Sequence, residues 1–329
     1  MKPTLTARIE RFPVAGVFNI SRGAKTHVDV VLAEITLGGV TGRGEATAIY
    51  YHGETAESVC AQILEQSSAI ADGASREDLL RLMPRGAARN ALDAALWDLE
   101  AKRSGQPVWQ LAGLAEPKPL VTAYTISLAD PASMENAARA AAAKAYPLLK
   151  LKLSGEGDLD RVAAVRRGAP DARLIVDANE AWTGRDIMAE AHALAAFGVE
   201  LIEQPVRAGE DRLLDGIAAP IPLCADESCQ DRSDLKRCAG RYQVINIKLD
   251  KAGGLTEALA LAKAARERGL DLMIGCMLST SLGVAPAFLA GQQARWVDLD
   301  GPLLLAEDRP DPVRFEGAVM HPPPRALWG

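Results

Sequence analysis

The chain has 329 residues, 48% hydrophobic and 24% charged, a composition that can bury a large core and is unlike that of a disordered chain. Its 37 basic and 43 acidic residues leave a net charge of −6 spread along the sequence, without the basic footprint of a nucleic-acid binder. Five cysteines, Cys60, Cys224, Cys229, Cys238 and Cys276, show no CxxC spacing and argue against a disulfide framework or zinc site. No signal-like N-terminus and no run of roughly 18 apolar residues occurs, so the expectation is a cytoplasmic protein with no membrane partner.

The first part reads as α+β. Alternating segments near 5–13 and 27–36 predict antiparallel strands, with turns at Gly38-Gly39 and Gly42. Helical periodicity follows at 56–66, 76–82 and 87–102; in the last, Leu92, Leu96 and Leu99 form an apolar stripe that Ser104-Gly105 stops. A Pro-rich stretch at 116–119 marks a domain junction.

From about residue 120, short apolar strands alternate with Ala-rich helices. The strands are expected at 121–126, 149–153, 174–177, 200–203, 223–226, 244–247 and 271–274. The helices between them are expected at 132–143, 159–167, 186–197, 232–238 and 256–268. Such units, about 25 residues apart, predict parallel strands in a barrel or doubly wound sheet, and the lack of a GxGxxG or GxxxxGK[ST] loop favours the barrel. The expected division is a capping domain over 1–118, a barrel over 119–300, and a segment over 301–329 that returns to the cap.

Five predicted strands each deliver a charged residue at or just past their ends: Lys152, Asp177, Glu203, Asp226 and Lys248, separated by 25, 26, 23 and 22 positions. In a (β/α) barrel the C-terminal strand ends converge on one mouth, where buried charge must pair or bind a metal. Asp177, Glu203 and Asp226 form an all-oxygen set suited to a hard divalent cation such as Mg²⁺, with Mn²⁺ a substitute. Lys150 and Lys152 lie two apart and share a strand face, about 6.6 Å from one another along it. If that face is interior, their mutual repulsion lowers at least one pKa toward the range of a general base. Lys248, on the sixth predicted strand, lies across the barrel from Lys152, so one lysine could take a proton from one face of a carbon and the other return it to the opposite face. The metal and Lys150 would stabilise the enediolate between the two steps. Lys251 competes for this role, but it follows the strand end, where a solvated position is expected.

Asp298 and Asp300, in Val-Asp-Leu-Asp-Gly-Pro, either share a strand face as an anionic pocket for an ammonium or belong to a plain turn. Arg22 could clamp a carboxylate or simply be exposed. Tyr51 and His52, in a polar loop, are not expected to act as bases, and no Ser/His/Asp or Cys/His set stands in a fitting context. Glycine-containing loops around Gly23 and Gly53 are candidates for closure over substrate.

Taken together, Lys150-Leu-Lys152, Asp177-Ala-Asn179, Glu203-Gln-Pro205, Asp226-Glu-Ser228 and Lys248 ahead of Gly253-Gly254 resemble the enolase superfamily, in the subgroup typified by muconate lactonizing enzyme. The resemblance spans essentially the whole chain and implies a modified (β/α)₇β TIM-like barrel with an N-terminal α+β capping domain. Within the subgroup, Ile20-Ser-Arg22-Gly23, Gly42-Arg-Gly44-Glu45, Tyr51-His-Gly-Glu54, Gly275-Cys-Met-Leu278 and Asp298-Leu-Asp300 look most like the dipeptide epimerases, L-Ala-D/L-Glu epimerases foremost. The resemblance implies that Asp298 and Asp300 bind a dipeptide ammonium. It also implies that Thr125, Lys150 and Cys276 contact substrate and that Arg22 meets the side-chain carboxylate of a Glu residue.

The expected activity is therefore Mg²⁺-dependent epimerization of a small dipeptide, in murein peptide metabolism, with Lys152 and Lys248 catalytic. The rivals are a cycloisomerase, an o-succinylbenzoate synthase or an N-acylamino-acid racemase on the same scaffold, whose substrates carry no ammonium for Asp298 and Asp300. A non-catalytic metal- and ligand-binding barrel would need no opposed lysines. A sugar-acid dehydratase would need a late-barrel histidine, and none of His27, His52, His192 or His321 is so placed. The sequence leaves the oligomeric state open, a homo-oligomer included.

Overall fold

The computed structural model describes residues 2–20 and 23–329. Strands β1 (Thr4–Ile20), β2 (Gly23–Leu37) and β3 (Val40–Thr47) form an antiparallel sheet in the order β1-β2-β3. Helices α1 (Ala56–Glu65), α2 (Ser67–Ala71) and α4 (Ala87–Ser104) pack on it, α3 (Arg76–Leu82) packs against α4, and α5 (Val108–Leu111) follows. Alternate β2 residues Val31, Ala33 and Ile35 join Val59, Ile63, Leu92 and Leu99 in one buried cluster, as the period of two in the strand and 3.6 in the helices requires. Thr55 and Ser75 begin α1 and α3 with capping boxes, and Gly105, in the left-handed region at φ 74°, ends α4.

Gly42 corrects the sequence expectation, because it makes no turn and lies inside β3. A Cβ at Gly42 would stand 2.2 Å from Ala95 O and 2.4 Å from Leu99 N, and one at Gly44 would stand 2.1 Å from Ala91 O. The buried face of β3 is glycine so that α4 can lie on its backbone. For the same reason β3 lacks the apolar alternation that would have announced it.

Beyond the short strand β4 (Leu120–Val121), eight parallel strands form the second sheet. In chain order they and their helices are β5 (Tyr124–Ile126), α6 (Pro131–Ala143), β6 (Leu148–Lys152), α7 (Asp158–Gly168), β7 (Arg173–Asp177), α8 (Ile187–Ala195) and β8 (Val199–Glu203). There follow β9 (Leu223–Ala225), α9 (Leu235–Cys238), β10 (Val244–Lys248), α10 (Leu249–Ala252), α11 (Leu255–Arg266), β11 (Asp271–Gly275), α12 (Ser281–Gly291) and β12 (Trp296–Asp298). The spatial order follows the chain from β5 to β12, and Ala123 N–H donates to Val297 O at 2.7 Å, which closes the sheet into a barrel. Between β8 and β9 the crossover carries only a 3₁₀ turn, Asp211–Leu214, and no helix follows β12. Eight strands with seven crossovers make the (β/α)₇β barrel.

The strand expected over 121–126 is in fact two. β4 pairs antiparallel with β14 (Val319–Met320), itself paired with β13 (Phe315–Glu316), while β5 enters the barrel. The C-terminal stretch binds the cap through Arg309 to Glu45 and Glu10, Trp328 Nε1 to Ala94 O, and Gly329 N to Asp98.

Candidate active site

Alternation along the barrel strands decides what reaches the mouth. The lowest inward layer is apolar, built from Leu148, Ile175, Leu201, Cys224, Val244, Met273 and Trp296 with Ala123. Two residues further along each strand the inward positions become Lys150, Asp177, Glu203, Asp226, Asn246, Gly275 and Asp298. Lys152 and Lys248 stand one step higher, on the second and sixth strands of the barrel. Outward-facing Leu149, Leu151 and Leu153 join the core against the helices, so the Leu-Lys alternation of β6 is that of a strand apolar outside and charged inside. Gly275 keeps this layer open: a Cβ there would meet Asn246 Oδ1 at 2.7 Å and Lys248 Cε at 3.1 Å.

All these charges are buried. Lys150 Nζ lies 2.6 Å from Glu203, 2.7 Å from Asp298 and 3.4 Å from Asp177. Lys152 pairs with Asp177 at 2.5 Å, and Lys248 with Asp226 at 2.6 Å. Burial alone would lower the Lys150 and Lys248 ammonium groups, but the carboxylates around them raise both well above the ordinary lysine value. The expected mutual lowering of the Lys150 and Lys152 pair is thereby overturned for Lys150, because three carboxylates outweigh one neighbouring ammonium. Burial raises and Lys152 and Lys150 lower the Asp177 carboxyl, to about 2, while Asp226 is held well below the usual range by Lys248 and Lys251 against its burial. Glu203 goes the other way, to about 7, through burial and the charge of Asp177.

As placed, the lysines lie between the carboxylates, and among the described residues no group of three His, Cys, Asp or Glu side chains is drawn together around a metal position. The donor set nonetheless fits a hard cation. Glu203 Oε2, although close to Lys150, lacks the alignment of a hydrogen bond and has no donor among the described residues, while Asn246 Nδ2 holds Oε1 at 2.7 Å. A buried carboxylate raised to about 7 by burial and by neighbouring acids, with Oε1 held by Asn246 and Oε2 facing only an ammonium that it shares with Asp298 and Asp177, is the environment that a dication relieves.

Backbone geometry supports the same residues. Asn179, Glu180 and Gln204, just past Asp177 and Glu203, have φ of 43°, 68° and 37°, in the left-handed region that non-glycine residues avoid. Gln204 Oε1 accepts from Asp226 N at 2.8 Å and Ser228 N at 3.1 Å, which fixes the Asp226 loop from β8. Asn179 N donates to Asp177 Oδ1 at 2.9 Å.

A cavity of about 80 Å³ opens above these groups. Thr125, Lys150, Lys152, Asp226, Lys248, Cys276, Asp298 and Asp300 line it, and Asp177 and Glu203 lie beneath. Asp300 falls just past β12, at the start of a 3₁₀ turn, Gly301–Leu304, and its Oδ2 accepts from Thr125 N at 2.6 Å. Burial and the neighbouring Asp298 raise Asp300 to about 7. Arg22 lies outside the described residues.

Lys251 is another correction: it is not solvated but fully buried, with Nζ donating to Asp226 Oδ1 and to the carbonyls of Asp226, Cys229 and Asn246 at 2.5 to 3.0 Å. The short helix α10, which begins directly after Lys248, turns it back under the mouth. Sequence reading also missed Asn246, whose place two before Lys248 on an inward face was the available signal, and Lys25. The Lys25 ammonium lines the cavity, its pKa lowered by burial, 5.8 Å from the Tyr50 ring centroid and with no carboxylate partner among the described residues. Nothing in its sequence neighbourhood marked it apart from Arg22, three positions earlier.

Residues 4–113 match the family model for the mandelate racemase/muconate lactonizing enzyme N-terminal domain, and residues 132–326 match that for the enolase C-terminal domain-like family. An L-Ala-D/L-Glu epimerase of Escherichia coli K12 is 44% identical over 312 residues, 95% of this chain and 97% of that protein. An N-acetyl-D-glutamate racemase of a Pseudoalteromonas species is 47% identical over 252 residues, 77% of this chain and 79% of its own. Among solved structures, an enolase family member from Agrobacterium tumefaciens with homology to dipeptide epimerases, with bound sodium and L-Ala-L-Glu, superposes with a TM-score of 0.96 at 48% identity, covering 99% of this chain and all of that one. The dipeptide epimerase of Enterococcus faecalis V583, complexed with Mg and L-Leu-L-Tyr, gives 0.91 at 29% identity, covering 98% and 97%. With its fold, its strand-end charges and both family models in agreement, the chain belongs to the enolase superfamily, in the mandelate racemase/muconate lactonizing enzyme family.

Proposed function

We propose that the protein is a Mg²⁺-dependent dipeptide epimerase, an isomerase that inverts the α-carbon of the C-terminal residue, with L-Ala-D/L-Glu as substrate. The observation that carries this reading is the placement of Lys152 and Lys248, both buried, on opposite strands of one barrel mouth with three acidic residues between them. Asp177, Glu203 and Asp226 would hold the cation. When bound, it would supply positive charge to the substrate carboxylate as the α-proton leaves, and against the anionic field that otherwise keeps the lysines protonated.

One lysine, as the neutral amine, takes the α-proton from its face. The other, as the ammonium, delivers a proton to the opposite face, and the pair exchange roles in the reverse direction. Lys150, paired with Glu203 and Asp298, stays cationic and faces the charge that develops on the carboxylate. Asp300, raised by burial and by its acidic neighbour, is complementary to a substrate ammonium, whose arrival would lower it. Lys25, a cation at the cavity wall without an acidic partner among the described residues, suits a side-chain carboxylate and favours Glu as the inverted residue.

A second reading, racemization of an N-acylated glutamate, draws on the Pseudoalteromonas relative and on Lys150, which already neutralises Asp298. The raised Asp300 weighs against it, since an acyl group brings no cation to that pocket. Incubation with Mg²⁺ in D₂O distinguishes them: the dipeptide reading requires deuterium at the Glu α-carbon of L-Ala-L-Glu together with its D-epimer. Exchange confined to N-acetyl-L-Glu would replace that reading by the second. Turnover of murein peptides in the cytoplasm belongs to the same proposal, as do domain limits near residues 118 and 300. No described helix is long and apolar enough to cross a membrane.

A further inference from the structure

The direction of a dipeptide across the mouth follows from the roles just proposed, on which this inference rests. Its carboxylate end lies over β7, β8 and β9, and its ammonium end at Asp298 and Asp300, after β12. Because the barrel closes between β12 and β5, the next element in that direction is β5, where Thr125 N donates to Asp300. Beyond it lies a second cavity of about 330 Å³, and Thr125 and Leu304 line both it and the cavity at the mouth.

This second cavity is a product of the seven-crossover topology. The chain leaves β12 in the 3₁₀ turn Gly301–Leu304, so α6 has no helix from that side and is faced instead by Leu304 and by Val14 of β1. The floor is aromatic: Tyr124 stacks on Tyr146 with centroids 4.5 Å apart and planes 22° from parallel. Met134 and Ala137 of α6 add apolar surface, and Ser127, Ser133 and Lys144 also line the cavity. A cavity of about 150 Å³ suffices for a benzene ring, so this one has room for an aromatic side chain.

We propose that this cavity receives the side chain of the dipeptide's N-terminal residue, and that the enzyme accepts large apolar and aromatic residues there as well as alanine. The side chain branches from the same carbon as the ammonium held at Asp298 and Asp300, so it starts beside the Thr125–Leu304 wall that the two cavities share.

The test compares L-Ala-L-Glu with L-Phe-L-Glu in wild type and in Ala137→Phe, by deuterium incorporation in D₂O with Mg²⁺. Ala137 lies on the exposed side of α6, so the variant folds, and an unchanged melting temperature verifies it. Wild type is expected to process both dipeptides, and Ala137→Phe to lose at least about tenfold in kcat/KM for L-Phe-L-Glu while L-Ala-L-Glu stays within about twofold. Equal effects on the two dipeptides, or a wild type that processes only L-Ala-L-Glu, would overturn the subsite while leaving the epimerase reading intact. Absence of exchange with both dipeptides would overturn both.

Discussion

Asp250 offers a test of how the cap is fastened to the barrel. It follows Lys248 by two positions and is buried, and its Oδ1 accepts from Thr47 N at 3.0 Å and from Asn90 Nδ2 at 2.9 Å, both groups of the capping domain. Burial, with Glu54 and Glu45 nearby, raises its carboxyl to about 7 from an ordinary 3.8. A raised acid binds its proton more tightly in the folded than in the unfolded chain, so its contribution to stability is full below about pH 4 and is lost as pH rises through about 7. Three pKa units correspond to about 4 kcal/mol at about 1.4 kcal/mol per unit. Asp250→Asn keeps an oxygen for both donors and removes the titration. For 329 residues, with unfolding entropy near 2 cal/mol/K per residue, about 4 kcal/mol is about 6 °C in Tm. Melting temperatures of both proteins from pH 4 to pH 8 should converge at the acid end, with the variant higher by several degrees at pH 8. The buried acids common to both proteins cancel in the difference. Parallel curves would mean that Asp250 does not carry a raised titration in the folded chain.

Other variants probe separate parts of the account. Lys251→Met removes the ammonium that donates to Asp226 Oδ1 and leaves three carbonyls short of a donor; Mg²⁺ binding by calorimetry should weaken by at least about tenfold, and unchanged affinity would deny Lys251 a part in placing Asp226. Lys25→Met should cost L-Ala-L-Glu about 10- to 100-fold in kcat/KM and L-Ala-L-Leu little, checked by the same deuterium assay. Gly42→Ala sets a Cβ against Ala95 O and Leu99 N and should lower stability by about 3 kcal/mol or more in thermal melts, unless β3 and α4 separate.

The parts of the fold that were legible in the sequence are those in which one physical rule governs. Parallel barrel strands buried on both faces leave apolar runs, and the strand-end rule turned Lys152, Asp177, Glu203, Asp226 and Lys248 into a convergent set. The illegible parts are those in which two elements share one constraint. β3 is glycine where α4 needs its backbone, and β4 follows the C-terminal β14 rather than the barrel. Lys251 read as solvated because the turn of α10 beneath the mouth depends on the carbonyls of Asp226 and Cys229, more than twenty positions earlier. Lys25 owes its place to strands of the cap brought over a barrel remote in sequence.

Two lysines that serve opposite faces of one carbon are separable by removing each in turn. Lys152→Ala and Lys248→Ala, each loaded with Mg²⁺ in D₂O, should be followed by NMR with L-Ala-L-Glu and separately with L-Ala-D-Glu. Each variant is predicted to lose epimerization by at least about 10⁴-fold and to retain α-proton exchange with only one of the two epimers, the opposite one for each lysine. Full epimerization by either variant, or exchange of the same epimer by both, would contradict the two-base account.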